Sequence, residues 1–389
     1  MSRGSHRQQF IDFARGTAML FVLLSHFGVV YFHDAPGLVP KLMRLVGMVA
    51  SPTFVIINGI LIGFLNRTRP RDFDRLRVAF ADRGLFLLTV GHLLILGSHL
   101  SYYPLTFLHM TDTLGVCMLI EPWLVSRTQP GERVRWAILV YTFSWIMLLW
   151  HPLSMSGHFV KESLFGSPTL TFYNYTFPLL PWFSLGFAAS ALGDRLGVLY
   201  LDGSWDRMQS LLNRTAVCAL IGATALVGIH SLVVRLTVND GAGEALRLLT
   251  LPFQKEPPSP SYLLFYGALG LILISACLFC ERRELLRGVA RRTIAFGQTS
   301  LVAFIAQYYV FYTVLEFLLR SRLPALPWAV YFLASVVTVV SVTLAWHRRG
   351  YNRFITVGLQ HIIRNRGTGL RVFPSGAGHV ATAPIQREA

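Results

Sequence analysis

The sequence predicts an all-α fold: a polytopic integral membrane bundle of about ten transmembrane helices with both termini in the cytoplasm. Three observations carry that expectation. Only 14% of the 389 residues are charged while 53% are hydrophobic, and soluble domains carry roughly 25% charged residues. Apolar stretches of about 20 residues recur along the chain, each long enough to cross a hydrocarbon core about 30 Å thick. The Lys and Arg residues, finally, alternate between rich and poor loops in the way that assigns membrane sides.

The segments run over 9–32, 47–65, 84–100, 105–125, 135–151, 174–193, 213–236, 261–280, 294–318 and 326–347. The third is short and begins at Arg83. The fourth is interrupted by His109 and Asp112, so these two are the spans expected to tilt or break. With the N-terminus inside, 26 of the 35 basic residues fall in inner loops and tails, 8 fall in outer loops, and Arg15 lies within the membrane. Such a bias calls for an even number of crossings. Outer loops at about 152–173 and 237–260 are long enough to cover a site; the first region carries His151 and His158, and the second ends in KEPPSPS. Residues 1–350 make the bundle and 351–389 a cytoplasmic tail. After about residue 367 the tail is expected to be disordered, since its Gly, Ala and Pro content cannot bury enough apolar surface.

Several functional classes fall away on composition. A net charge of +16 would suggest nucleic acid in a soluble protein, but Arg-rich cytoplasmic loops account for it here, and no nucleic-acid partner is expected. Cys117, Cys218, Cys277 and Cys280 all sit in apolar stretches, which argues against a disulfide framework. Cys277-x-x-Cys280 has neither a second pair nor a nearby His, so it reads as small residues on a membrane helix; no metal and no permanently bound cofactor are expected. Asp12 and Arg15 interrupt the first segment too early for a cleavable signal peptide. There is no visible internal repeat or pair of broken helices, which weakens a transporter reading.

Ionisable residues inside a membrane are costly and are therefore the best functional leads. Arg15 and His26 are eleven residues apart, which returns them to within about 20° of one helix face, about 16 Å apart along the axis. Asp12 precedes Arg15 by three residues and can pair with it. An Arg near the cytoplasmic boundary can grip a phosphate, and a deeper His can act as a general base. A long donor with an anionic head and a reactive end would span the two. Equally, Arg15 can snorkel to the headgroups while His26 makes one interhelical hydrogen bond.

Ile11-Asp12-Phe13-Ala14-Arg15-Gly16, followed by apolar residues and His26, resembles the R-x10-H opening of the transmembrane acyltransferases. That superfamily includes acyltransferase-3 proteins, periplasmic-glucan succinyltransferases and relatives of heparan-α-glucosaminide N-acetyltransferase. The likeness continues in order with Ser51-Pro-Thr-Phe-Val-Ile-Ile-Asn-Gly59, Arg83-Gly-Leu-Phe-Leu-Leu88, Asp112-Thr-Leu-Gly115, Phe177-Pro-Leu-Leu-Pro-Trp-Phe-Ser-Leu-Gly186 and Phe296-Gly-Gln-Thr-Ser-Leu301. It implies transfer of an acetyl or succinyl group from cytoplasmic acyl-CoA to a hydroxyl or amine of a cell-envelope glycan or glycolipid, as in O-acetylation. It also implies a bacterial inner membrane, with lipid, acyl-CoA and the acceptor as partners and room for a homo-oligomer. His26 would be the base, and Arg15 with Arg67 and Arg83 would bind the donor; Asp12, Asn58, His109 and Asp112 would support them. The chain departs from the pattern at Asn58, where Ser is more usual, and at Gln307, where many relatives have His.

Other polar residues read as structural. His92 has no obvious sequence partner and reads as packed. Glu121 and Glu316 read as helix ends, and Trp123, Trp150, Trp182 and Trp328 as interfacial anchors. The competing function is a transporter or flippase for an anionic or glycolipid substrate.

Overall fold

Backbone polar groups find no water inside a bilayer, so spanning segments satisfy their own hydrogen bonds as helices. The computed structural model follows that rule. It describes residues 9–32, 38–98, 108–150, 163–166, 177–236, 247, 249–311, 313–314 and 325–350. Among them there is no strand, only one isolated bridge between Lys255 and Pro258. The helices are α1 (Gln9–Phe32), α2 (Leu38–Thr68), α3 (Phe73–Gly97), α4 (Met110–Val125), α5 (Pro130–Trp150), α6 (Leu179–Leu201), α7 (Trp205–Leu236), α8 (Pro260–Arg282), α9 (Arg287–Gln298), α10 (Ser300–Phe311) and α11 (Ala325–Arg348).

Among the described residues, each of the ten expected segments contains helix, but the count of ten spans is not established. Among the described residues, six helices are long and apolar enough to cross a membrane, and a seventh span results if α9 and α10 form one. The other three fall short for visible reasons. α4 has 16 residues, α5 carries Glu132, Arg133 and Arg135, and α6 carries Asp194 and Arg195. Large apolar side chains face outward around the bundle, among them Ile138 on α5, Ile221 on α7 and Val330 on α11, each more than 60% exposed. On a soluble protein this would be a liability; on a membrane protein it is the lipid face. The two ends of the chain, His151, His158 and Glu316 lie outside the described residues.

α2 stands at the centre, packed against α1, α4, α6 and α8. Close approach to α6 rests on small residues. A Cβ on Gly59 would lie 2.0 Å from the Gly186 carbonyl oxygen, and one on Gly63 would lie 1.9 Å from that of Ser190. Pro52 sits inside α2, where a proline removes an N–H and frees the carbonyl four residues back. That carbonyl belongs to Met48, and the Tyr262 hydroxyl of α8 donates to it at 3.1 Å. α8 itself starts on Ser259, whose side chain accepts from the Tyr262 N–H, with Pro260 next in line, as helix starts favour.

The structure departs from sequence expectation in several places, among them Trp328, expected as an anchor but buried against Phe27 and Phe332. The third segment starts earlier, at Phe73, and contains a π-helical turn at Leu87–Gly91. The late segment is two helices, α9 and α10, bent by 73° at Thr299, where α9 packs against α1 through Gly297 and Gly16. Glu121 lies inside α4 and is fully buried rather than marking a helix end. Trp182 is also fully buried, its ring 5.5 Å from that of Phe177 and 6.0 Å from that of Tyr262, so it is core and not an anchor.

Candidate functional site

Asp12 lies on the buried side of α1 and accepts from Arg15 Nη1 at 3.1 Å and from Gln298 Nε2 at 3.1 Å. Two glycines make this junction with α9 possible. A Cβ on Gly297 would stand 1.9 Å from the Asp12 carbonyl oxygen, and one on Gly16 would stand 2.1 Å from that of Thr293. The carboxylate therefore holds Arg15 and the end of α9 together, immediately before the break at Thr299.

Beside that break lies a narrow cleft between α1, α2, α3, α4 and α10. Its polar lining is Arg15, Asn58, Arg83, Thr111 and Ser300; Phe54, Met110 and Phe304 are among its apolar walls. Three of the site residues expected from sequence thus meet here: Arg15, Arg83 and Asn58. Arg67 does not join them. It is exposed at the end of α2, its side-chain stem against Gly197 of α6. Ser300 stands at the N-terminus of α10, where unsatisfied N–H groups and the helix dipole favour an anion. Asn58 is buried, and neither its Oδ1 nor its Nδ2 has a protein hydrogen-bond partner.

His26 lies about three helical turns beyond Arg15 on the same stripe of α1, and that stripe faces α10. Its ring is 6.2 Å from Phe304, which walls the cleft, and 5.4 Å from Tyr308. Tyr308 in turn lies 5.9 Å from His109. On the same face of α10, Gln307 is fully buried and neither amide atom has a protein partner.

His109 caps α4. Its N–H donates to Asp112 Oδ2 at 2.7 Å, half of a capping box. The Asp112 carboxylate also meets His92 Nδ1, at 3.0 Å to each oxygen. His92, which sequence left as a packed histidine, therefore has a carboxylate partner. Nothing in a spacing of twenty residues signals that pairing; the only available hint was that both are polar residues in apolar segments. Tyr308, Gln298 and Ser300 were missed for the same reason, since each is ordinary until α10 turns toward α1. Among the described residues no three of His, Cys, Asp or Glu stand close enough together to hold a metal ion.

The arrangement offers an anion grip at one level, polar groups along a cleft, and imidazoles beyond it. Compared with known proteins, the chain matches a family model described as an acyltransferase domain over residues 8–347. No curated protein matches it.

Proposed function

This chain belongs to the acyltransferase-3 family of membrane acyltransferases, and on that premise we propose that it takes an acetyl or succinyl group from acyl-CoA on the cytoplasmic side. The acceptor is a hydroxyl or amine of a cell-envelope glycan or glycolipid, and the membrane is a bacterial inner membrane. The observation that carries the reading is the shared cleft: two arginines and a helix N-terminus line it, and His26 lies behind its Phe304 wall. A long donor with phosphates at one end and a thioester at the other matches that separation, about 16 Å along α1.

In this reading Arg15 and Arg83 hold the donor phosphates by charge-assisted hydrogen bonds, with the α10 N-terminus adding its dipole. Asp12 keeps the Arg15 fork in position. Asn58, whose amide has no protein partner, meets the polar middle of the donor. His26 takes the proton from the acceptor as its oxygen or nitrogen attacks the thioester carbonyl.

The test is acetyl-CoA turnover by the purified protein in lipid, wild type against His26→Ala and Arg15→Ala. Loss of general base catalysis is expected to lower kcat by about 100-fold or more for His26→Ala, while Arg15→Ala raises the donor KM. A folded His26→Ala variant that turns over like wild type sinks the mechanism. A transporter or flippase for an anionic or glycolipid substrate is the competing reading, because a broken membrane helix is a feature that transporters share. Absence of thioester consumption with several acyl-CoAs and candidate glycans would favour it.

A further inference from the structure

α1 and α3 repeat one design. Each carries an arginine lining the cleft, Arg15 and Arg83. Each then carries a histidine farther along: His26, eleven residues on, and His92, nine residues on. The axial separations are about 16 Å and about 14 Å. The spacing on α3 would fail in a regular helix, because nine residues at about 100° each put Arg83 and His92 on opposite faces. The π-helical turn at Leu87–Gly91 lies between them. Such a turn winds in one extra residue, which brings the offset down to about 80°. It is this turn that lets Arg83 face the cleft while His92 reaches Asp112.

At the histidine level a file of aromatic rings links the two helices. From His26 the rings run to Tyr308 at 5.4 Å, to His109 at 5.9 Å and to His92 at 6.1 Å. Asp112 fixes the far end, accepting from the His109 N–H and from His92 Nδ1. A carboxylate can only accept, so Nδ1 of His92 carries a hydrogen and the proton exchanged with a substrate is the one on Nε2. This is the arrangement by which a carboxylate orients a catalytic imidazole.

Acyl transfer from a thioester has two proton problems. The acceptor must lose a proton as it attacks, and the departing sulfur must gain one. Resting on the acyltransferase reading above, we propose that His92, aligned by Asp112, is the second acid–base residue and protonates the leaving thiolate. In this step the acceptor O–H or N–H gives its proton to His26 and the new bond to the acyl carbon forms. The carbon–sulfur bond breaks, and the sulfur takes the Nε2 proton of the His92 imidazolium. The surplus proton on His26 and the deficit on His92 are made good by solvent between turnovers. Asp112 is a positioning residue.

The experiment compares two donors on the full-length protein in lipid: acetyl-CoA, and an acetyl thioester of an acidic aromatic thiol that leaves without protonation. For His92→Gln, kcat with acetyl-CoA is expected to fall by about 100-fold or more, with a much smaller loss on the aromatic thioester. His26→Ala is expected to lose activity with both. Asp112→Asn keeps an oxygen for the His109 N–H and is expected to show the leaving-group dependence of His92→Gln, more weakly. Equal losses on both donors in a folded His92→Gln protein, or no loss at all, overturn the proposal while leaving the acyltransferase reading intact. A wild-type protein that consumes neither thioester overturns both.

Discussion

Asn58 and Gln307 are buried amides without protein partners, and each such group is a liability of about 1–3 kcal/mol. If Asn58 is kept for a ligand, removing its polarity should separate stability from activity. Asn58→Leu is expected to leave thermal unfolding unchanged or raised while kcat/KM for the donor falls about tenfold or more. A parallel loss of both would mean that the amide serves folding. Arg15 poses a different question, because its fork matters as well as its charge. Arg15→Lys keeps the charge but loses bidentate geometry, so the donor KM is expected to rise with kcat much less affected, as initial-rate measurements would show.

Two elements owe their shape to single interactions that can be cut cleanly. Pro52 within α2 leaves the Met48 carbonyl to the Tyr262 hydroxyl. Tyr262→Phe is therefore expected to cost about 1–3 kcal/mol in unfolding measurements, as orphaned buried carbonyls do. Pro52→Ala restores an N–H to α2, so in the double variant the loss should shrink markedly; additivity of the two changes would refute the pairing. At the α1–α9 crossing, Gly297→Ala places a methyl where the Asp12 backbone already is. It is expected to loosen Asp12 from Gln298, raise the donor KM as Arg15→Lys does, and lower thermal stability. Gly288→Ala, on the same helix with open space around it, is the control that should do neither.

For the molecule as a whole, arginine has two roles that composition merges into one. On the expected topology most of the basic residues set sides, and a labelling reporter at 152–173 is expected to map outside; a cytoplasmic result would reverse the donor side. Arg133 belongs to the other role. It is buried and donates to the carbonyls of Val125, Thr128 and Ser190, with Asp194 at 3.7 Å. It thus closes the end of α4 against α6. Arg133→Met is expected to cost about 3–5 kcal/mol, as breaking buried charge pairs does, without a specific effect on donor KM. Sequence could foresee the helices, since apolar runs of membrane length are a one-dimensional signal, and it could foresee the Arg15–His26 stripe, since helical periodicity is local. It could not foresee the turn at Leu87–Gly91, the break at Thr299 or the His92–Asp112 contact. Each depends on how segments far apart in the chain pack, and none leaves a periodic trace.

The cleft has a further consequence, in the order of synthesis. Every lining residue but three comes from the first 118 positions; Ser300, Leu301 and Phe304 complete the wall, and Gln298 supplies the second partner of Asp12. A ribosome adding about 5–20 residues per second needs roughly 10–40 seconds to reach them from α4. During that interval the nascent chain holds both arginines and both histidines but lacks the wall that joins them. On the proposed reading, donor consumption is expected to await insertion of the late helices, and a chain truncated before α10 is expected to bind lipid yet turn over no thioester.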